Sequence, residues 1–185
     1  MSAFFGKMKA VRNLLTIKQS DIDPDSPLTD VTNFRKRSAA RAVLLDKYGR
    51  VYLLNVSKHG YHKLPGGGID EGEEIVEAME RELLEEVGCR AEILAELGTV
   101  IEYRDYYWGG LRQISYCFLA KQVGEQKESA LEEGELRQGM FEVRAKDIDD
   151  AIRLLQEDKP DNFEGKFIQK RDLCFLMAAR KQLYV

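Results

Sequence analysis

The sequence lacks a cysteine framework: Cys89, Cys117 and Cys174 are the only three in 185 residues, widely spaced and flanked by apolar side chains. An odd, scattered set makes neither a disulfide scaffold nor a zinc-ligand pattern, and it suits inert buried thiols in a reducing compartment. Long hydrophobic runs are missing too. No segment reaches the roughly 18 to 20 apolar residues that span a bilayer, and Ala3-Phe4-Phe5 is too short for the apolar core of a signal peptide. The expectation is a cytoplasmic protein with no membrane partner. Positive charge is not in excess, since 28 Lys and Arg face 32 Asp and Glu for a net charge of −4. Bulk binding to a nucleic-acid backbone is therefore not expected, although a small phosphorylated ligand could still be held by local basic groups and a metal. Internal repeats and low-complexity tracts are absent as well.

What is present reads as globular. Apolar residues make up 44% and charged residues 32%, ordinary values for a packed domain. Residues 1–37 read as an N-terminal extension, a strand over Val11–Ile17 and a loop where Asp and Pro cluster, packing on the core or on a second subunit as in a homodimer. Residues 38–185 read as the main domain. Ala42–Leu45 and Val51–Leu54 flank Asp46-Lys47-Tyr48-Gly49 as a β-hairpin, and a short extended piece covers His62–Leu64. Two longer strands follow over Ala91–Arg104 and Gln113–Ala120, and another over Gly139–Arg144. Helical spacing then marks Asp147–Glu157, closed by Pro160, and a final helix through Ile168, Phe175, Leu176, Ala179 and Leu183. Lys170-Arg171 in that helix reads as a solvated face. This order predicts an α/β (α+β) fold, a mixed β-sheet covered by helices.

The densest chemistry lies between Leu64 and Cys89. Leu64-Pro65-Gly66-Gly67-Gly68 is a sharp turn that lets backbone approach a ligand closely. An acidic helix follows, on which Glu82, Glu85 and Glu86 share an arc of roughly 100°, because residues three and four apart lie on one side. Val76, Met79, Leu83 and Val87 form the stripe that would anchor it to the sheet. Three carboxylates this close raise one another's pKa unless a cation lies between them, and hard cations such as Mg²⁺ take oxygen ligands of this kind together with substrate phosphates. A solvated acidic helix would account for Glu74 and Glu77, but not for the glycine turn, Arg81 and both Glu pairs at these spacings.

Gly67, Glu73, Arg81, Glu82, Leu83, Glu85, Glu86 and Gly88 resemble the signature of the Nudix hydrolases, G-x5-E-x7-R-E-U-x-E-E-x-G-U, where U is bulky and aliphatic. Cys89 departs from it at the last position while keeping a small apolar side chain. The resemblance implies an α/β/α sandwich and the hydrolysis of a nucleoside diphosphate linked to another moiety, with Mg²⁺ or Mn²⁺. Carried over to this sequence, Glu82, Glu85 and Glu86 would ligate metal, joined by the Gly66 carbonyl. Arg81 would orient a carboxylate, while Gly67, Glu73 and Gly88 would shape the turn and the helix ends. In this family the general base is a signature glutamate in some members and a distal loop glutamate in others; Glu82 is preferred here, with Glu132, Glu133 and Glu135 as alternatives. Glu82, Arg81 and Glu85 are thus the candidate catalytic set. Lys63 before the turn, Arg104 and Arg112 around the aromatic loop, and Tyr107 within it are candidate substrate contacts, Tyr107 by stacking on a base. A nucleotide-sensing module without catalysis is the alternative on the same fold. An isomerase of prenyl diphosphates is less suited, because no extra acid and base groups are apparent.

Overall fold

Residues 35–45 pass from basic side chains into a small and branched apolar run broken only by Arg41, the pattern of a strand covered on both faces. The computed structural model, which describes residues 11–25, 33–105 and 109–184, places this strand, β2 (Arg35–Leu45), inside a mixed sheet. β1 (Asn13–Ile17) precedes it; β3 (Val51–Val56), β4 (Tyr61–Lys63) and β5 (Gly66–Gly68) follow. Helix α1 (Ile75–Val87) leads to β6 (Arg90–Arg104) and β7 (Leu111–Val123), then to α2 (Glu133–Arg137), β8 (Met140–Ala145), α3 (Ile148–Glu157) and α4 (Phe163–Leu183). The sheet runs β1-β6-β7-β2-β3-β4, with β5 paired to β2 and β8 to β3. β1 with β6 and β2 with β7 are parallel pairs, and the remaining pairs are antiparallel.

Strand alternation assigns the two faces. Ala40, Ala42 and Leu44 of β2 pack with Tyr52 and Leu54 against Ala78, Met79, Leu83 and Val87 of α1. Val43 and Leu45 face the other way, toward Ile152 and Leu155 of α3 and Phe167, Phe175 and Leu176 of α4. The result is the expected α/β/α sandwich. Three details differ from the reading of the sequence. β2 runs straight through the expected boundary at 37/38, and β1 lies in the same sheet beside β6. Val76 is 39% exposed, and Ala78 takes its place in the buried stripe of α1. Arg171 is not solvated: it is fully buried together with Asp172. Among the described residues no helix is long and apolar enough to cross a membrane.

Two backbone joints fasten the segment after β7 to the end of α1. Gly88 caps α1 with φ +63°, and a Cβ there would lie 2.0 Å from the Lys127 carbonyl oxygen. The Lys127 amide in turn donates to the Gly88 carbonyl at 2.8 Å, and the Ala130 amide to the Glu85 carbonyl at 2.7 Å. The chain after β7 is thereby fastened along the end of α1 and delivers α2 beside the carboxylates of that helix.

Candidate active site

β5 is three glycines, paired to β2 along one edge and held by side chains along the other. The Ala42 amide donates to the Pro65 carbonyl and the Ile69 amide to the Ser38 carbonyl, each at 3.1 Å. Antiparallel pairing alternates between bonded and non-bonded positions, so the facing pairs Arg41–Gly66 and Ala39–Gly68 fall at the non-bonded ones. Gly66 and Gly68 therefore turn their amides and carbonyls away from β2. The Gly66 amide donates to Glu86 Oε2 at 2.5 Å, the Gly66 carbonyl accepts from Arg41 Nη1 at 2.6 Å, and the Gly68 carbonyl accepts from Arg81 Nη2 at 2.9 Å. Side chains are excluded at two of these positions. A Cβ at Gly66 (φ +127°) would fall 2.2 Å from the Ala40 carbonyl oxygen, and one at Gly67 would fall 2.4 Å from the Glu82 carboxylate.

Arg81 is the hub of the helix side. Its Nε and Nη2 grip both oxygens of Glu73 at 2.9 and 3.0 Å, while Nη1 reaches Glu82 at 2.9 Å and Glu85 at 3.2 Å. Glu73 also accepts the Asp70 amide at 3.0 Å, closing the turn ahead of the helix. The Arg81 fork, with the Asp70 amide second, holds the Glu73 carboxyl down at about 2. A depressed acid contributes stability that is present above its unfolded pKa, near 4.3, and that fades as pH falls through the folded value. The Glu73→Gln variant is therefore expected to melt below the wild type at pH 6, with the gap closing between about pH 4.5 and pH 2. Thermal midpoints of both proteins across that range check this, and a gap independent of pH would sink it.

The three carboxylates line one polar cavity of about 220 Å³ with Lys63, Gly66, Gly67, Gly68, Arg37, Arg41, Glu132, Glu135 and Glu164. Glu86 is 2% exposed and bound by Lys63 Nζ at 2.7 Å, whereas Glu85 is 40% exposed. Burial, and then the charge of Glu86, push the Glu82 carboxyl up, against the pull of Arg81. Glu135 is raised to about 7, chiefly by burial and further by Glu86. Anionic oxygens crowded so that they disfavour one another's ionisation are the donor set a hard divalent cation takes, and on that chemistry the residues fit one. Among the described residues no three metal-ligating side chains gather at one point, because Lys63 and the Gly66 amide draw Glu86 one way while Arg81 draws Glu82 and Glu85 another. Lys63 is thus placed in the cavity, on a carboxylate.

Two expected substrate contacts lie elsewhere. Arg104 is 1% exposed, with Nη2 2.8 Å from Glu102 Oε1 and its guanidinium 5.5 Å from the centre of the Phe167 ring; its charge is matched inside the fold. Arg112 donates to the Tyr103 hydroxyl at 3.3 Å and is not among the residues lining the cavity. Tyr107 and its neighbours Tyr106 and Trp108 lie outside the described residues. Conversely, Arg37 and Arg41 line the cavity without having been singled out. Their signal was legible: two arginines four apart share a strand face, and Arg41 interrupts an otherwise apolar run.

A family model described as NUDIX domain matches residues 35–168. An RNA pyrophosphohydrolase of Wolbachia pipientis subsp. Culex pipiens is 34% identical over 102 residues, covering 50% of this chain, which spans only 63% of that protein's length. An RNA pyrophosphohydrolase of Shewanella sp. (strain ANA-3) is 30% identical over 136 residues, covering 71% of this chain and 69% of its own. Among solved structures, the MutT protein from Methanosarcina mazei Go1 superposes with a TM-score of 0.55 at 18% identity, covering 81% of this chain and 97% of the other. That likeness supports the fold alone.

Proposed function

The chain belongs to the Nudix family, and from that premise we propose that it is a divalent-metal-dependent hydrolase of phosphoanhydride bonds in nucleoside diphosphates linked to another moiety. The observation that carries this reading is the cavity in which Glu82, Glu85 and Glu86 meet the glycine strand. Glu82, Glu85 and Glu86, with the Gly66 carbonyl, would hold Mg²⁺ or Mn²⁺. A bound divalent cation would neutralise charge on the phosphate oxygens and acidify the attacking water. The protein's own groups do the rest. Arg81 keeps Glu82 and Glu85 in register, and Lys63 and Arg37 offer positive charge to a diphosphate entering the cavity. Glu82, with its raised pKa, is the proposed proton acceptor. Glu135, raised to about 7 and beside Glu86 in the same cavity, is the second group suited to that task.

The relatives' names extend the substrate class to the polyphosphate end of an RNA, which is itself a phosphoanhydride on a nucleoside. The test is a panel with Mg²⁺: nucleoside triphosphates, dinucleotides, nucleotide sugars, ADP-ribose and RNA bearing a 5′ triphosphate, read as phosphate, pyrophosphate or nucleotide released. Turnover of at least one member is expected, reduced by orders of magnitude in Glu85→Gln. Tight nucleotide binding with no turnover across the panel would replace this reading with that of a sensing module.

A further inference from the structure

We infer that Arg41, a β2 residue outside the Gly67–Cys89 motif, is a positioning residue that fixes the Gly66–Gly67 peptide at the metal-binding end of the cavity. The inference rests on the proposed function for what the site does, and on geometry for what Arg41 does. Gly66 and Gly67 have no side chains to restrict rotation about their shared peptide, and the pairing register turns the Gly66 carbonyl away from β2. The ladder holds this peptide only at its amide end, where Gly67 faces Ala40 at a bonded position, and leaves the carbonyl end to a partner outside the ladder. Arg41 Nη1 holds it at 2.6 Å, from a side chain 5% exposed.

The guanidinium is committed to this contact. Arg41 Nε has no hydrogen-bond partner among the described residues, a cost that a buried polar group bears only when the rest of its placement compensates. Burial, then Arg171, bring its pKa down to about 10, while Asp172, Glu102 and Glu86 oppose that fall; at neutral pH the group stays charged. The other half of the clamp is Glu86, which takes the Gly66 amide. One residue, Gly66, is thus gripped at its amide by a motif carboxylate and at its carbonyl by a strand arginine. Loss of either grip loosens the other, because only the two soft torsions of Gly66 separate them.

The test uses the full-length chain with Arg41→Met and Arg41→Lys. In metal-free protein, the amide NMR signals of Gly66 and Gly67 are expected to move in Arg41→Met, and their hydrogen exchange to accelerate tenfold or more. Mn²⁺ affinity, followed by electron paramagnetic resonance, is expected to weaken roughly 10- to 100-fold, the usual effect of losing a group that orients a ligand. On a substrate found in the panel, kcat should fall with little change in KM, and Arg41→Lys should recover part of each loss. A folded Arg41→Met protein with wild-type Gly66 and Gly67 signals and wild-type Mn²⁺ affinity overturns the inference. If Arg41→Met does not fold, Arg41→Lys decides on the same two readouts. Wild-type protein that neither binds Mn²⁺ nor turns over any substrate would instead overturn the proposed function, and the Gly66 and Gly67 signals would still report on Arg41.

Discussion

Glu86→Gln is expected to lower turnover on the order of 10³-fold while the protein still folds, the scale of losing a preorganised charge at a reacting phosphate. Glutamine has the same shape, and its carbonyl oxygen can still accept the Gly66 amide now held at 2.5 Å. What disappears is a negative charge that is 2% exposed, the most buried of the three carboxylates and the partner of Lys63. Glu85, at 40% exposure, is more readily substituted by water. The measurement is kcat/KM at saturating Mg²⁺ alongside a melting curve. Activity within about threefold of wild type, in a folded variant, would remove Glu86 from the site.

Asp172→Ala is expected to be the most destabilising single change among these residues, by about 3–5 kcal/mol, the usual effect of stripping one partner from a buried charge pair. Asp172 is fully buried; its Oδ2 accepts the Leu64 amide at 2.8 Å and its Oδ1 the Arg171 Nε at 2.7 Å. Removal leaves the fully buried Arg171 guanidinium facing Glu102 at 3.5 Å, and it frees the backbone just ahead of the glycine strand. At roughly 2–4 °C per kcal/mol for a domain of this size, the midpoint should drop by on the order of 10 °C. Asp172→Asn, which keeps an acceptor for Leu64 but not the charge, should fall between the two. A loss below about 1 kcal/mol for Asp172→Ala would mean that the charge cluster is held by other means.

The residues that were legible in the sequence are those whose spacing is itself the signal. Gly67, Glu73, Arg81, Glu82, Glu85, Glu86 and Gly88 lie close along one turn and one helix, so their neighbourhood in space follows from their neighbourhood in the chain. β5 was not legible as a strand, because three glycines carry no side-chain periodicity. Arg104 stands in the sequence as a candidate substrate contact, and its burial against Glu102 and Glu164 is evident only once β6 meets α4. Arg171 and Asp172 are more instructive. They fall three and four residues after Ile168 and four and three before Phe175, inside the apolar stripe of α4, and a charged pair on a buried stripe marks an internal ion pair rather than a solvated face. Arg41 carried the same kind of signal on a strand.

The Leu64–Asp172 hydrogen bond joins positions 108 residues apart, and that separation bears on the order of assembly. Loop closure over such a distance is slow compared with forming a helix or a hairpin. During synthesis the motif helix and the β2–β3 hairpin emerge long before α4, so the Leu64 amide just ahead of the glycine strand lacks its buried acceptor until residue 172 has left the ribosome. A nascent chain would thus display its acidic helix early and complete the bracing of its site only at the end, when the last helix docks.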